Sequence, residues 1–306
     1  MAWRAQISDR PIQRLDILTG KPSSLAVWTS AHRVTFLDLQ TGACVAEHTL
    51  EVPRLSERKS LDWNAFLASL PAPNNVFPPV VRTADGAIYS AADGALRVYR
   101  IGLHSLILDR GGVEAPLDLD EDIVLAAVAL DRTGDVTAAL DTTSRLHIWR
   151  GQVRVSAIDT GLTLEADSQP QIVVSKQGAS IVACAERRVV LFDGAGQRRK
   201  SLDLHYRPGM IAGSQDGRLL AITDLESAVI RVYSGIDLQP THQRFAVDLL
   251  ADSRRAQLTN VSVAPNAAPG PLAINNKGVV AFALAGIVGV TSIAKMKPLP
   301  RPRALS

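Results

Sequence analysis

Sulfur and aromatic side chains are scarce in this chain: 306 residues hold two cysteines and three methionines, and aromatics make up 5%. Cys44 and Cys184 stand far apart at no metal-ligand spacing, which gives no basis for a disulfide framework and fits a reducing compartment. With so few rings, a core has to be built from Val, Ile, Leu and Ala, and the apolar share of 46% supplies them. The opening MAWRAQISDRP has no apolar stretch behind a basic start, so no secretory signal is expected and the cytoplasm is the expected compartment.

Catalytic motifs are missing too. The six histidines, His32, His48, His104, His147, His205 and His242, form neither HExxH nor HxH. There is no GxSxG elbow, P-loop or GxGxxG; GSQDG at 213–217 resembles a nucleophile turn only loosely and is accounted for as a hairpin. The acidic run Asp118, Asp120, Glu121, Asp122 could open a calcium loop, but the sixth and twelfth positions are Ile123 and Ala129 where Gly and Glu are required. It reads as a solvated linker. No catalytic residue, metal ligand or cofactor is assigned.

The net charge of +3 is concentrated at one end. Lys295, Lys297, Arg301 and Arg303 lie in the last twelve residues, which contain no acid, and the remainder holds 29 basic residues against 30 acidic ones. A near-neutral body with a basic arm argues against a nucleic-acid groove. In the arm, Pro298, Pro300 and Pro302 alternate, which predicts an extended polyproline-like conformation over 295–306.

What the chain does have is a repeat. ADGAIYSAADGALRVYR (84–100), TGDVTAALDTTSRLHIWR (133–150), QGASIVACAERRVVLFD (177–193) and DGRLLAITDLESAVIRVYS (216–234) each run from a Gly turn through an apolar strand to a second strand with a bulky residue. From Gly to aromatic the intervals are 13, 15, 14 and 16 residues, the span of a β-hairpin. Weaker copies flank these, and taking Leu37, Tyr99, Trp149, Phe192, Tyr233 and Phe282 as equivalent gives intervals of 62, 50, 43, 41 and 49 residues. That is the period of four-stranded propeller blades. One such sheet buries neither face alone, so successive sheets must stack.

The sequence therefore predicts an all-β chain forming a single β-propeller over 1–294, with six four-stranded blades and seven as the alternative, followed by the arm 295–306. Blade one should have strands near 12–18, 24–29, 33–39 and 44–50. Blades two to five should cover 76–110, 122–160, 169–205 and 208–249, and blade six should have strands near 257–264, 271–275, 279–284 and 287–293. Trp3 to Ile7 has strand character and is a candidate for closing the ring. Residues 51–75 break the rhythm: Trp63, Phe66, Leu67 and Leu70 fall at helical spacing before Pro71 and Pro73, predicting a short helical insertion between blades one and two. The uncharged run 278–294, followed by KMKPLPRPR, has the outline of a membrane anchor, but its glycines and its split at Ala285–Gly286 favour two strands of blade six. In LHIW, alternation puts His147 on the face of Trp149 and opposite Leu146 and Ile148, a structural histidine.

These blades resemble a degenerate WD40-type propeller, and VTFLDLQTG at 34–42 matches that family's strand-and-turn ending, with Asp38 and Gly42 in place. No blade has the Gly-His start or the Trp-Asp end; the aromatic is followed by Arg100, Arg150, Asp193 or Ser234. These departures predict loss of the internal His/Asp hydrogen bonding that marks regular repeats. The resemblance implies a non-enzymatic protein-interaction scaffold, a subunit of a larger, bacterial-type assembly whose partners are other proteins. Trp63, Phe66, Leu67 and Leu70, with Lys295, Lys297, Arg301 and Arg303, are the candidate docking residues. Two alternatives stand beside it: a lactonase-like or glycan-cleaving hydrolase with Asp85, Asp131, Asp216 and Asp224 converging on the channel, and membrane or nucleic-acid attachment through the arm.

Overall fold

The computed structural model describes the chain from Ala2 to Leu299, apart from residues 8–11, 13, 19–22, 31–32, 50–79, 84–85, 91–95, 102–104, 111–112, 121–122, 132–134, 166–168, 252–253, 256–268 and 285. The strands form six sheets, each with its main strands in simple antiparallel succession. Blade one consists of Arg14–Leu18, Ser24–Ser30, Arg33–Asp38 and Cys44–Thr49. Blade two consists of Val80–Thr83, Gly86–Ser90, Leu96–Ile101 and Ser105–Arg110, with Val113–Pro116 as a fifth strand. Blade three runs through Leu125–Leu130, Val136–Asp141, Arg145–Arg150 and Val153–Asp159. Blade four has Gln171–Val174, Ser180–Ala185, Arg188–Asp193 and Arg198–Asp203. Blade five has Pro208–Gly213, Leu219–Asp224, Val229–Ser234 and Pro240–Phe245.

Blade six departs from its expected layout. Residues 257–264 lie outside the described ones, and its first strand is Pro269–Ile274, followed by Val279–Leu284 and Ile287–Ser292. The fourth comes from the other end of the chain: Trp3–Gln6 pairs antiparallel with Ile287–Ser292, Trp3 opposite Val290 and Gln6 opposite Ile287. Arg254–Arg255 lies parallel outside it. The run 278–294 is thus two strands of a blade, and among the described residues no helix is long and apolar enough to cross a membrane. Phe282 also changes place. It sits in the second strand, whereas Leu37, Trp149, Phe192 and Tyr233 sit in the third, where blade six has Thr291.

Alternation along each middle strand places successive side chains against opposite neighbours. In blade four, Ile181, Ala183 and Phe192 pack on Val136, Ala138 and Ile148 of blade three. Val182, Cys184 and Leu191 face the other way, onto Leu220, Ile222 and Tyr233 of blade five. Blade five meets blade six through Ile230, Val232, Leu272 and Phe282, and blade six meets blade one through Val288, Val290, Ile17 and Leu25. Burying a Val, Leu or Ile side chain is worth roughly 1.5–3 kcal/mol. The stacked faces therefore hold the ring together, as the low aromatic content requires.

Candidate functional site

The turn after each first strand is built the same way in blades three to six. Asp131, Ser175, Ser214 and Asn275 end that strand, and their side chains accept the backbone N–H of Val136, Ser180, Leu219 and Val279 at 3.1, 2.7, 2.9 and 3.0 Å. Three residues on stand Gly178, Gly217 and Gly278, with φ of 64°, 72° and 70°. A Cβ at Gly217 would lie 2.6 Å from Ser180 Oγ, so both the backbone and the neighbouring blade demand glycine.

These turns also bond to one another across blades. Gln177 N–H donates to Asp131 Oδ2 at 2.7 Å, Lys176 N–H to the Gln215 carbonyl at 2.8 Å, and Asp216 N–H to Asn276 Oδ1 at 3.0 Å. The result is a belt of hydrogen bonds linking blades three, four, five and six at one end of the channel. Sequence reasoning marked the glycines and missed their partners. The signal was available: a Ser, Thr, Asp or Asn stands three residues before Gly86, Gly134, Gly178, Gly217 and Gly278.

The second turns of blades three and five carry buried charge. In blade three, His147 Nε2 lies 2.8 Å from Asp141 Oδ2, and both side chains are almost wholly buried. Asp141 Oδ1 also accepts from the backbone N–H of Thr143 and Arg145. The expected loss of His/Asp bonding is corrected here, because this blade rebuilds such a pair within one hairpin. His147 stacks on Trp149 with ring centroids 5.9 Å apart, as alternation predicted. In blade five Asp224 and Arg231 form the corresponding pair at 2.7 Å. Burial pushes both carboxyls up, but hydrogen bonds from His147, Arg145 and Thr143 in one case, and from Ser227, Arg231 and Glu226 in the other, hold them below the usual range. The Arg231 guanidinium sits 4.1 Å over the Tyr206 ring, and the Tyr206 and Tyr233 hydroxyls are 2.7 Å apart. Burial raises both phenols.

At the end of the channel opposite the belt, a cavity of about 450 Å³ opens among blades four, five, six and one. Gln171, Arg207, Gly209, Met210, Leu225 and Pro271 are among its lining residues. The first strands of blades five and six both begin Pro-Gly, and both lose register there, between Pro208 and Ile211 and between Pro269 and Leu272. Such bulges turn backbone toward the opening. The Gln171 amide spans the bulge of blade five, donating to the Gly209 carbonyl and accepting Ile211 N–H at 2.9 Å. Met210 and Leu225 remain exposed at the rim.

The acids considered for hydrolysis do not converge. Asp131 and Asp216 serve turns at the belt end, Asp224 serves a turn at the opposite end, and Asp85 lies outside the described residues. Among the described residues no group of three His, Cys, Asp or Glu could hold a metal ion.

Of the candidate docking residues, Trp63, Phe66, Leu67, Leu70, Arg301 and Arg303 lie outside the described residues, as does the whole insertion 51–75. Lys295 ends a short 3-10 turn, Ile293–Lys295, and its carbonyl accepts from the Arg244 guanidinium at 2.8 Å. Lys297 and Pro298 are extended, but they pair with Gln243 and His242 as a fifth strand of blade five. Met296, between Lys295 and Lys297, is buried against the interface of blades five and six.

No family model and no curated protein matches the sequence. Solved structures do match in fold. The β-propeller domain of Cps50 (Swd1) from Myceliophteria thermophila superposes with a TM-score of 0.61 at 10% identity, covering 93% of this chain and 96% of that one. Raptor from Chaetomium thermophilum gives 0.63 at 8% identity, over 98% of this chain and 29% of its own. The computationally designed Ika8 protein gives 0.57 at 12% identity, over 95% and 99%. Six stacked sheets, closure through the N-terminal strand and these superpositions together make the chain a β-propeller of the WD40-like fold.

Proposed function

We propose that the chain is a non-enzymatic scaffold that presents one face of its ring to partner proteins as a subunit of a larger, bacterial-type assembly, and that it works in the reducing cytoplasm. The observation that carries this reading is the contrast between the two ends of the channel. At the belt end, turn side chains and backbone bond to one another and fix the blades. At the other end an open cavity is bordered by exposed Met210 and Leu225 and by Pro-Gly backbone, the mixture of apolar side chain and accessible main chain that a partner's surface uses. The buried carboxylates are taken up by turns, which supports a role in rigidity over one in hydrolysis. Both described cysteines are free thiols, in keeping with the compartment.

The test is affinity capture from the native host with the full chain, with Met210→Glu combined with Leu225→Glu, and with a version lacking 51–75. A stoichiometric partner retained by the full chain and lost with the rim variant supports the reading and locates the surface. Loss only with the deletion moves the surface to the insertion. Absence of any stoichiometric partner overturns it.

A further inference from the structure

Among the described residues, three blades carry a strand outside their fourth: Val113–Pro116 on blade two, Lys297–Pro298 on blade five and Arg254–Arg255 on blade six. Blade three ends at Val153–Asp159, and among the described residues nothing pairs with its outer edge. Blade five shows how such an edge is filled. Its added strand pairs at His242 and Gln243, and Leu299 N–H donates to the Thr241 carbonyl at 2.8 Å. Matched through their partners in the third strand, His242 and Gln243 correspond to Ser156 and Ala157 of blade three, and Thr241 to Val155. Both fourth strands lose register at this same point, so the geometry that admits a fifth strand on blade five is also present on blade three.

We propose that the edge at Val155, Ser156 and Ala157 accepts an extended, basic segment of a partner protein as the fifth strand of blade three; this rests on the scaffold reading and names a class of partner for it. Unpaired edges are normally shielded by charge. Blade four follows that rule with exposed Arg198, Arg199 and Lys200 on its fourth strand. Blade three does the opposite: Val153 is 66% exposed and Val155 47%. A strand added here gains main-chain hydrogen bonds for affinity, and apolar side chains facing the two valines give it a register.

Charge selects the occupant. Apart from the buried Asp131 and Asp141, residues 117–167 contain eight acidic and four basic residues, a balance of −4 in a chain whose total is +3. The carboxylates of Asp118 and Asp120, 74% and 65% exposed, lie 3.9 and 3.2 Å from Arg154 on this very strand. The segment that the chain itself lays on blade five, Lys295 to Pro298, is of the same basic kind.

The probe is a dye-labelled peptide of alternating lysine and valine, followed by fluorescence anisotropy and by amide hydrogen exchange on the full chain. Binding should slow exchange at 155–157. It should weaken by about tenfold with Val153→Lys combined with Val155→Lys, and by a smaller factor with Asp118→Asn combined with Asp120→Asn, which should also lower the salt dependence. A control peptide with glutamate in place of lysine should not bind. Equal binding of the glutamate peptide, protection at 241–243 without protection at 155–157, or no binding overturns the proposal. So does a concentration-dependent dimer abolished by the valine variants, which would assign the edge to a second copy. These variants leave Met210 and Leu225 untouched, so host-partner capture that persists while the peptide fails removes the edge assignment alone.

Discussion

The carboxylate of Asp131 reaches from the first turn of blade three and accepts the backbone N–H of Gln177, in the equivalent turn of blade four, at 2.7 Å. Its other oxygen holds Val136 N–H of its own turn at 3.1 Å. One side chain therefore shapes a hairpin and ties two blades, and it is buried while doing so.

Asp131→Ala should cost about 2–4 kcal/mol, because two backbone donors lose a charged acceptor. Asp135→Ala, at an exposed position of the same turn, should stay within about 0.5 kcal/mol. Urea unfolding of the two variants checks this. Equal midpoints would mean that the belt is incidental to stability.

The hydroxyls of Tyr206 and Tyr233 form a buried pair, so removing one should be worse than removing both. Tyr206→Phe leaves the buried Tyr233 hydroxyl without the Tyr206 hydroxyl it bonds and should cost about 1–3 kcal/mol; the double phenylalanine variant should recover part of that. Thermal melts of the singles and the double variant give the coupling. Strict additivity would contradict the pairing.

Asp141 and Asp224 titrate below the ordinary carboxyl range in the folded chain. A depressed folded pKa favours folding above the unfolded value, near 4, and that contribution is lost as pH falls through the folded pKa. Melting temperature should therefore drop from about pH 4 downward. Asp224→Asn should melt lower at neutral pH and show a shallower fall in acid. An unchanged slope would mean that this carboxylate does not contribute.

Cys184 is buried between blades four and five, and burial pushes its thiol up to about 12, whereas Cys44 is exposed. A thiol reagent at pH 8 should label one equivalent in the native protein, lost with Cys44→Ser, and both in denaturant. Labelling of both thiols in the native state would show that this interface opens.

The fold was legible because the Gly turn and the third-strand aromatic recur at blade spacing in blades two to five. Blade six was placed out of phase for a physical reason. Val279–Leu284 and Ile287–Ser292 are both buried and apolar, so periodicity cannot tell a second strand from a third, and Phe282 reads as a third-strand aromatic although it lies in the second strand. The His147–Asp141 pair was hidden by its position. The family pattern places its histidine at the start of a blade, whereas here both residues lie in one hairpin six positions apart. The cavity was not legible at all, since Gln171, Met210 and Pro271 come together only when three blades stack.

Trp3 pairs with Val290, and its indole N–H donates to the Leu39 carbonyl of blade one at 2.9 Å. The strand that a ribosome makes early must wait for one made late, and until the two meet, the blade-one surface packed against blade six stays open to water. Nearly the whole sequence separates these partners, which makes closure a slow, long-range event. A partner that recognises the finished ring would not engage a nascent or nicked chain. Assembly would then be timed by closure of the ring, with the N-terminal strand reporting that the last blade is in place.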